Sequence, residues 1–170
     1  MSFLELARAR YSCRKLTDAP VEAAKVERIL QAAVAAPTAK NAQRYTIWAV
    51  KSAAAFDKLK QATPYTFGAG MAFVVGAAKD GAFDRPFDKK NFAEIDAAIV
   101  ATHLMLAVQD EGLGTTWVGW FDAPKMQELF PQMQGYELIA IFPVGYPAAD
   151  AKPHVRHEDR RPLSEVVVEL

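Results

Sequence analysis

The sequence has very little cysteine and no excess of charge of either sign. Cys13 is the only cysteine among the 170 residues, which excludes an intrachain disulfide and a cysteine-based zinc site. Lysine plus arginine and aspartate plus glutamate number 20 each, whereas a nucleic-acid-binding protein normally has a strong basic excess. With 51% hydrophobic residues, the chain is also too apolar and too neutral for a disordered protein. We therefore expect a folded protein with no nucleic-acid partner.

Long apolar runs and a secretory signal are absent too. No run approaches the roughly 18 apolar residues of a membrane helix, and the opening MSFLELARARYS lacks the apolar stretch of a signal peptide. Domains usually contain about 100–200 residues, so residues 1–170 are expected to form one domain. The sequence thus predicts a soluble, cytoplasmic, single-domain protein without a membrane partner.

Periodic apolar residues and capping signals mark the helices. Ser2 is a possible cap for the first helix, and Pro20 suits the first turn of the second, which ends before Pro37. Gly112 is a typical stop for the longest helix. Besides the second helix, the predicted helices cover residues 2–9, 53–61, 92–111 (the longest) and 124–130.

Runs of β-branched and aromatic residues mark the strands between these helices. Such runs predict strands over 45–50, 71–77, 115–121 and 137–145, with Val166–Val168 as a last possible strand. Pro143 indicates an edge strand or the end of its strand. The alternation predicts helices packed on a central sheet, but periodicity does not determine whether the strands are parallel.

Two groups of arginines could hold a phosphate. Arg10 and Arg14 lie four residues apart with the Ser12 hydroxyl between them, and guanidinium and hydroxyl groups are suitable donors to a phosphate. A polar turn with solvated arginines is the alternative. Arg160 and Arg161, in a charged segment near the C-terminus, become relevant if that segment folds back toward the first group.

Two further segments suit a planar ligand. Residues 36–43 (APTAKNAQ) form a polar loop whose Asn41 and Gln43 could bind the heteroatom edge of a ring, an ordinary connecting loop being the alternative. Gly119, inside a predicted strand, suggests close approach of the backbone to a flat cofactor, with a bulge as the alternative. No nucleophile-elbow serine, Walker motif, dinucleotide fingerprint or metal-ligand pattern is present. If the protein is an enzyme, we expect a bound cofactor to carry the chemistry.

In this order and at these separations, the segments resemble the FMN-dependent nitroreductase family over nearly the whole chain, most closely its short members. RYSCRKL, from Arg10 to Leu16, resembles the family's Arg-x-Ser-x-Arg-x-Phe start. The loop 36–43 resembles its Ala-Pro-Ser-x-x-Asn-x-Gln loop. GLGT over 112–115 and RRPL over 160–163 resemble its central turn and its closing signature.

The resemblance implies a three-layer α-β-α sandwich with a mainly antiparallel sheet, and an intertwined homodimer with FMN at the interface. It also implies an NAD(P)H-dependent flavin oxidoreductase that reduces nitroaromatic, quinone or similar electron-poor acceptors by a ping-pong hydride mechanism. FMN carries this chemistry, so no catalytic side chain and no metal is expected. A flavin-binding or carrier protein without turnover, and a protein that kept the fold but lost the cofactor, are the alternatives.

The cofactor-binding residues carried over from the resemblance come from all four segments. Pro37, Thr38 and Asn41 match a loop that the other subunit supplies. The full set is Arg10, Tyr11, Ser12, Arg14, Pro37, Thr38, Ala39, Asn41, Trp117, Val118, Gly119, Arg160 and Arg161.

The sequence departs from the family pattern at two places. The family often has Pro-Trp after the glutamine that matches Gln43, where this chain has Arg44-Tyr45. It often has a second basic residue where this chain has Glu158; either Arg161 or His157 compensates, or phosphate binding is weaker. Lys60, Gln61 and Tyr65 are unranked candidates for contacts to the flavin pyrimidine.

Overall fold

The computed structural model describes residues 1–170 and contains a four-stranded antiparallel sheet with helices on both faces. The strands are β1 (Tyr45–Val50), β2 (Met71–Ala77), β3 (Gly114–Thr115) and β4 (Glu137–Gly145), arranged in the order β1-β2-β4-β3. The helices are α1 (Phe3–Ala9), α2 (Ala23–Val34), α3 (Ala53–Leu59), α4 (Ala93–Asp110), α5 (Ala123–Leu129) and α6 (Leu163–Val166). Short 3-10 turns cover Ala39–Asn41, Pro131–Met133 and Val155–His157. All neighbouring strands are antiparallel, which confirms the expected α+β class.

The alternation of side chains along β2 builds the three layers. Phe73 and Val75 face the core formed with α2 and α4, whereas Ala72 and Val74 face the core formed with α3 and α5. Because helices cover both faces, every residue of β2 is buried. The predicted α-β-α sandwich is therefore confirmed.

Capping residues set several helix boundaries. Ser2 accepts a hydrogen bond from the Glu5 backbone, and the Glu5 carboxylate accepts one from the Ser2 N–H, which completes a capping box at α1. Gly112 has a φ of 72° and ends α4, as its position predicts. Helix α2 begins at Ala23 and not at Pro20, so this predicted boundary is too early.

The predicted strand over 115–121 is mostly wrong. β3 is two residues long, and pairing with β4 resumes only at a single bridge between Val118 and Ile141. The register places Thr116 opposite Pro143, which has no N–H to donate. The ladder is therefore interrupted at this pair, and the backbone leaves the sheet after Val118.

Pro143 also does not mark an edge strand, because β4 has a neighbour on each side. The N–H and C=O of Ile141 bond to Val118, so the nitrogen of Pro143, two residues further on, faces the same side. The missing donor thus falls at the gap in the β3–β4 pairing, and the β2–β4 pairing is unaffected.

The expected strand over Val166–Val168 is wrong as well. The short helix α6 ends at Val166, and Val167 and Val168 belong to neither a helix nor a strand. The side chains of this segment face solvent; we call them the apolar tail: Leu163, Val166, Val167, Val168 and Leu170. No helix of the protein combines the length and the apolar character needed to cross a bilayer.

Candidate functional site

The segment between Ser12 and Thr17 crosses one end of the sheet in an extended conformation. Four backbone hydrogen bonds of 2.8–3.0 Å tie it to three distant parts of the chain: Cys13 to Thr115, Leu16 to Phe67, and Thr17 and Lys15 to Tyr146 and Ala148. Its main chain is therefore fixed on both sides. This fixed backbone positions the side chains of Ser12 and Arg14 within the segment and of Arg10 just before it.

Glycines surround the same segment because its backbone passes too close for any side chain. A Cβ on Gly68 would lie 2.6 Å from the Leu16 carbonyl oxygen, and one on Gly145 would lie 2.6 Å from the Thr17 oxygen. Gly70 lies against Asp18 in the same way. We call these three glycines the glycine cluster.

A pocket of about 520 Å³ opens where the segment starts. The polypeptide near the C-terminus folds back over it, so the two arginine groups of the sequence meet. The lining residues are Arg10, Tyr11, Ser12, Arg14, His154, Arg156, His157 and Arg160, and none of them is acidic. We call this the arginine pocket. The pocket has the chemistry to hold an anion, because four arginines line it and no carboxylate does.

The arginines of this pocket are poorly neutralised by the protein itself. No carboxylate forms an ion pair with Arg10, Arg14 or Arg156, although other arginines of the chain are paired. Burial, and then the positive charge of Arg160, lower the pKa of Arg10 below its ordinary value. An anion bound between the two arginines would relieve this repulsion.

Tyr11 adds no negative charge beside these arginines. Burial, followed by contact with the Cys13 thiol, raises the pKa of Tyr11 to about 12. Its hydroxyl therefore stays neutral across the physiological pH range and lines the pocket as a neutral polar group.

An aromatic groove continues from the arginine pocket through Arg14, which lines both. Its volume is about 190 Å³, and it is lined by Arg14, Tyr65, Phe67, Thr116, Trp117, Val118, Gly119 and Trp120. The ring of Tyr65 stacks on Phe67 at 5.8 Å and meets Trp120 edge to face at 5.4 Å. Gly119 is exposed, and a Cβ there would meet no atom within 4 Å. A flat ligand could therefore reach this stretch of backbone.

A third cavity of about 550 Å³ extends the groove at Gly119 and Trp120. Lys60 and Gln61 line it, together with Ala62, Thr63 and Pro64. The Thr63 hydroxyl donates to the Trp120 carbonyl at 2.9 Å, which holds the two walls together. The three unranked candidates of the sequence therefore lie along one continuous surface, with Tyr65 in the aromatic groove.

The loop 36–43 does not line any of these cavities. Ala39 N–H instead donates to the buried Asp96 carboxylate at 3.0 Å, on the opposite side of the sheet from the aromatic groove. Lys40, Asn41 and Gln43 have φ values of 53°, 52° and 50°, a region that residues other than glycine rarely occupy. Strain of this kind is typical of functional sites.

Two differences separate the structure from the sequence-predicted site. Arg161 points away from the pocket, where its guanidinium donates to the Glu165 carboxylate and carbonyl at 3.2 and 2.8 Å. His154 and Arg156, which the sequence interpretation missed, line the pocket. The density of basic residues between 154 and 161 was the available signal, but only the fold shows which of them face inward.

Comparisons with known proteins agree with this fold and these segments. The model of the nitroreductase family matches residues 7–67 and 54–146, which together span most of the chain. A crystal structure of a nitroreductase family protein from Clostridium difficile 630 superposes with a TM-score of 0.90 at 37% identity, over 99% of this chain and 98% of that chain.

Two more distant proteins have the same overall fold or a similar sequence. A protein from Archaeoglobus fulgidus, provisionally named NADH dehydrogenase/NAD(P)H nitroreductase, is 27% identical over 165 residues, covering 92% of this chain and 91% of the relative. A protein from Exiguobacterium sibiricum 255-15, provisionally named a nitroreductase and solved in complex with FMN, has a TM-score of 0.84 at 16% identity, over 100% of this chain and 98% of that one. With a family match along most of its length and a close structural neighbour in the same family, the chain belongs to the nitroreductase family of oxidoreductases.

Proposed function

We propose that this chain is a single FMN-binding domain that uses NADH or NADPH to reduce electron-poor acceptors such as nitroaromatics and quinones. The observation that carries the proposal is the continuity of the acid-free arginine pocket with the aromatic groove. One end offers charge for a phosphate, and the other offers a flat apolar surface for a ring. Two comparisons support the proposal: the name of one relative includes NAD(P)H nitroreductase, and one protein of the same fold was solved in complex with FMN.

The donor set fits the phosphate of FMN. A phosphate monoester carries a charge of about −1.5 to −2 near pH 7. Arg10, Arg14 and Arg160 would bind and neutralise it, and the Ser12 hydroxyl would add an uncharged donor. These groups are unpaired or joined only to backbone oxygens, so binding an anion costs no existing ion pair.

The aromatic groove would hold the flavin ring against the backbone at Val118 and Gly119. Trp117, 37% exposed, packs edge to face on Phe142 at 5.1 Å, which fixes this wall of the groove. The chemistry that bound FMN supplies is hydride transfer from the nicotinamide to the acceptor. The side chains of this protein would bind and orient the flavin, and we assign none of them a role as a general acid or base.

A homodimer would complete the site. Pro37, Thr38, Ala39 and Asn41 lie away from the arginine pocket of their own chain, so they reach a flavin only in a partner chain. The apolar tail has no covering within one chain, which fits a surface that a second copy covers. We place the protein in the cytoplasm, where the free thiol of Cys13 stays reduced.

Absorbance spectroscopy tests the proposal. Purified protein mixed with FMN should retain flavin through gel filtration and show its visible absorption bands. Anaerobic NADH or NADPH should bleach these bands, and a nitroaromatic or quinone should restore them. Protein that fails to retain FMN contradicts the site, whereas retained FMN that neither nicotinamide bleaches supports a flavin carrier.

Gly119→Ala should weaken flavin binding without weakening the fold. The new Cβ meets no protein atom within 4 Å and Gly119 has no positive φ, so the free energy of unfolding should stay unchanged or rise by about 0.4–1 kcal/mol. A methyl group facing the flavin ring should lower the affinity for FMN and for riboflavin by about 5- to 150-fold. Fluorescence titration measures both affinities, and unchanged binding would place the ring elsewhere.

A further inference from the structure

The position that the family resemblance expects to be basic cannot bind the phosphate in this chain. Glu158 occupies it, and its side chain is 93% exposed. A carboxylate accepts hydrogen bonds and repels an anion, so Glu158 cannot take the place of a basic residue. A second basic contact to the phosphate from the C-terminal segment must therefore come from another residue.

The two residues that could compensate by sequence position both have hydrogen-bond partners within the protein. Arg161 is paired with Glu165 through its side chain and its carbonyl, outside the pocket. His157 lines the pocket, but its Nε2 lies 3.1 Å from the Arg8 carbonyl oxygen and must carry the proton there. Its Nε2 is therefore not available to an anion in the pocket.

Arg156 is the basic residue that the fold delivers to the pocket. It lies in the 3-10 turn Val155–His157, where its N–H donates to His154 Nδ1 at 3.2 Å and its carbonyl accepts from Arg160 at 3.4 Å. These backbone contacts hold the turn. Arg156 lines the pocket, and its guanidinium group forms no hydrogen bond or ion pair with the protein. The same turn sends the side chain of Glu158 outward.

Resting on the proposed FMN site, the geometry points to Arg156 as a phosphate-binding residue that replaces the basic residue missing at position 158. The pocket then surrounds the phosphate with Arg10 and Arg14 from the start of the chain and Arg156 and Arg160 from its end. The positive charge of these arginines acts on the phosphate and not on the flavin ring, so the pocket selects phosphorylated over unphosphorylated flavin.

Flavin binding to Arg156→Gln tests this assignment, with riboflavin as the probe that has the ring but not the phosphate. The variant should bind FMN about tenfold or more weakly, while its affinity for riboflavin stays within about twofold of the unmodified protein. Arg156→Lys, which keeps the charge, should recover part of the FMN affinity. Glu158→Gln and Arg161→Gln are matched controls and should change FMN affinity by less than about twofold.

The outcomes separate this inference from the proposed function. If the unmodified protein does not bind FMN, the proposed function fails and the assignment fails with it. If the unmodified protein binds FMN and Arg156→Gln binds it equally well, only the role of Arg156 is overturned. Equal losses for FMN and riboflavin would also overturn it, because a residue that merely shapes the pocket affects both. The thermal midpoint of each variant without flavin checks that the fold is intact.

Discussion

Gly68→Ala should destabilise the protein by about 2–4 kcal/mol, the sum of a steric and a conformational cost. Its Cβ would lie 2.6 Å from the Leu16 carbonyl oxygen, and that backbone is hydrogen-bonded to Phe67 and cannot move away freely. Gly68 also has a φ of 86°, which alanine adopts only with strain. Urea unfolding of the flavin-free protein measures the loss.

Gly135→Ala is the matched control for this substitution. Gly135 has a φ of 81° but a Cβ there would meet no atom within 4 Å, so only the conformational cost applies, about 1 kcal/mol. If both variants lost the same free energy of unfolding, the close approach of the Leu16 backbone to the glycine cluster would contribute nothing to the loss at Gly68. If Gly68→Ala loses more free energy of unfolding than Gly135→Ala, the difference is the cost of the close contact with the Leu16 backbone.

Arg10→Ala should weaken FMN binding by about 10- to 150-fold, because a charge-assisted hydrogen bond to a phosphate is worth about 1.5–3 kcal/mol. The same variant should unfold no more easily than the unmodified protein. The Arg10 side chain has no ion pair to lose, and its removal relieves the repulsion from Arg160 that lowers the pKa of Arg10. Affinity and stability should thus move independently.

Fluorescence titration with FMN and urea unfolding without it measure these two quantities. Arg161→Ala is the control for the loss of a basic residue, because Arg161 is paired with Glu165 outside the pocket. A variant that loses stability and affinity together would identify Arg10 as a structural residue. Unchanged FMN affinity would remove the arginine pocket from the proposed function.

Much of the fold is predictable from local signals in the sequence. The strands β1, β2 and β4 match their predicted bounds, because alternating or continuous β-branched residues recur where both faces of a strand are buried. Ser2 and Gly112 set helix ends through contacts within a few residues, which sequence spacing reveals directly. The proximity of Arg10 to Arg160 does not follow from sequence spacing, because it depends on how the C-terminal segment folds back.

The errors arise where a residue acts on a neighbour that is distant in sequence. Pro143 interrupts the partner strand at Thr116, an effect invisible without the register. Val166–Val168 have strong strand propensity but no sheet edge beside them. The inward direction of Arg156 depends on a single 3-10 turn, which composition does not specify. Site residues whose direction depends on such a turn can be identified only from the three-dimensional structure.

The hydrogen bonds of the Ser12–Thr17 segment have a consequence for the order of folding. They join residues 13–17 to residues 67, 115, 146 and 148, so each bond closes a long loop and can form only after the intervening chain has collapsed. Residues 154–160, which close the arginine pocket, are synthesised later still. The arginine pocket therefore forms only after residues 154–160 have packed against residues 10–14, so an anion bound there cannot guide the earlier steps of folding.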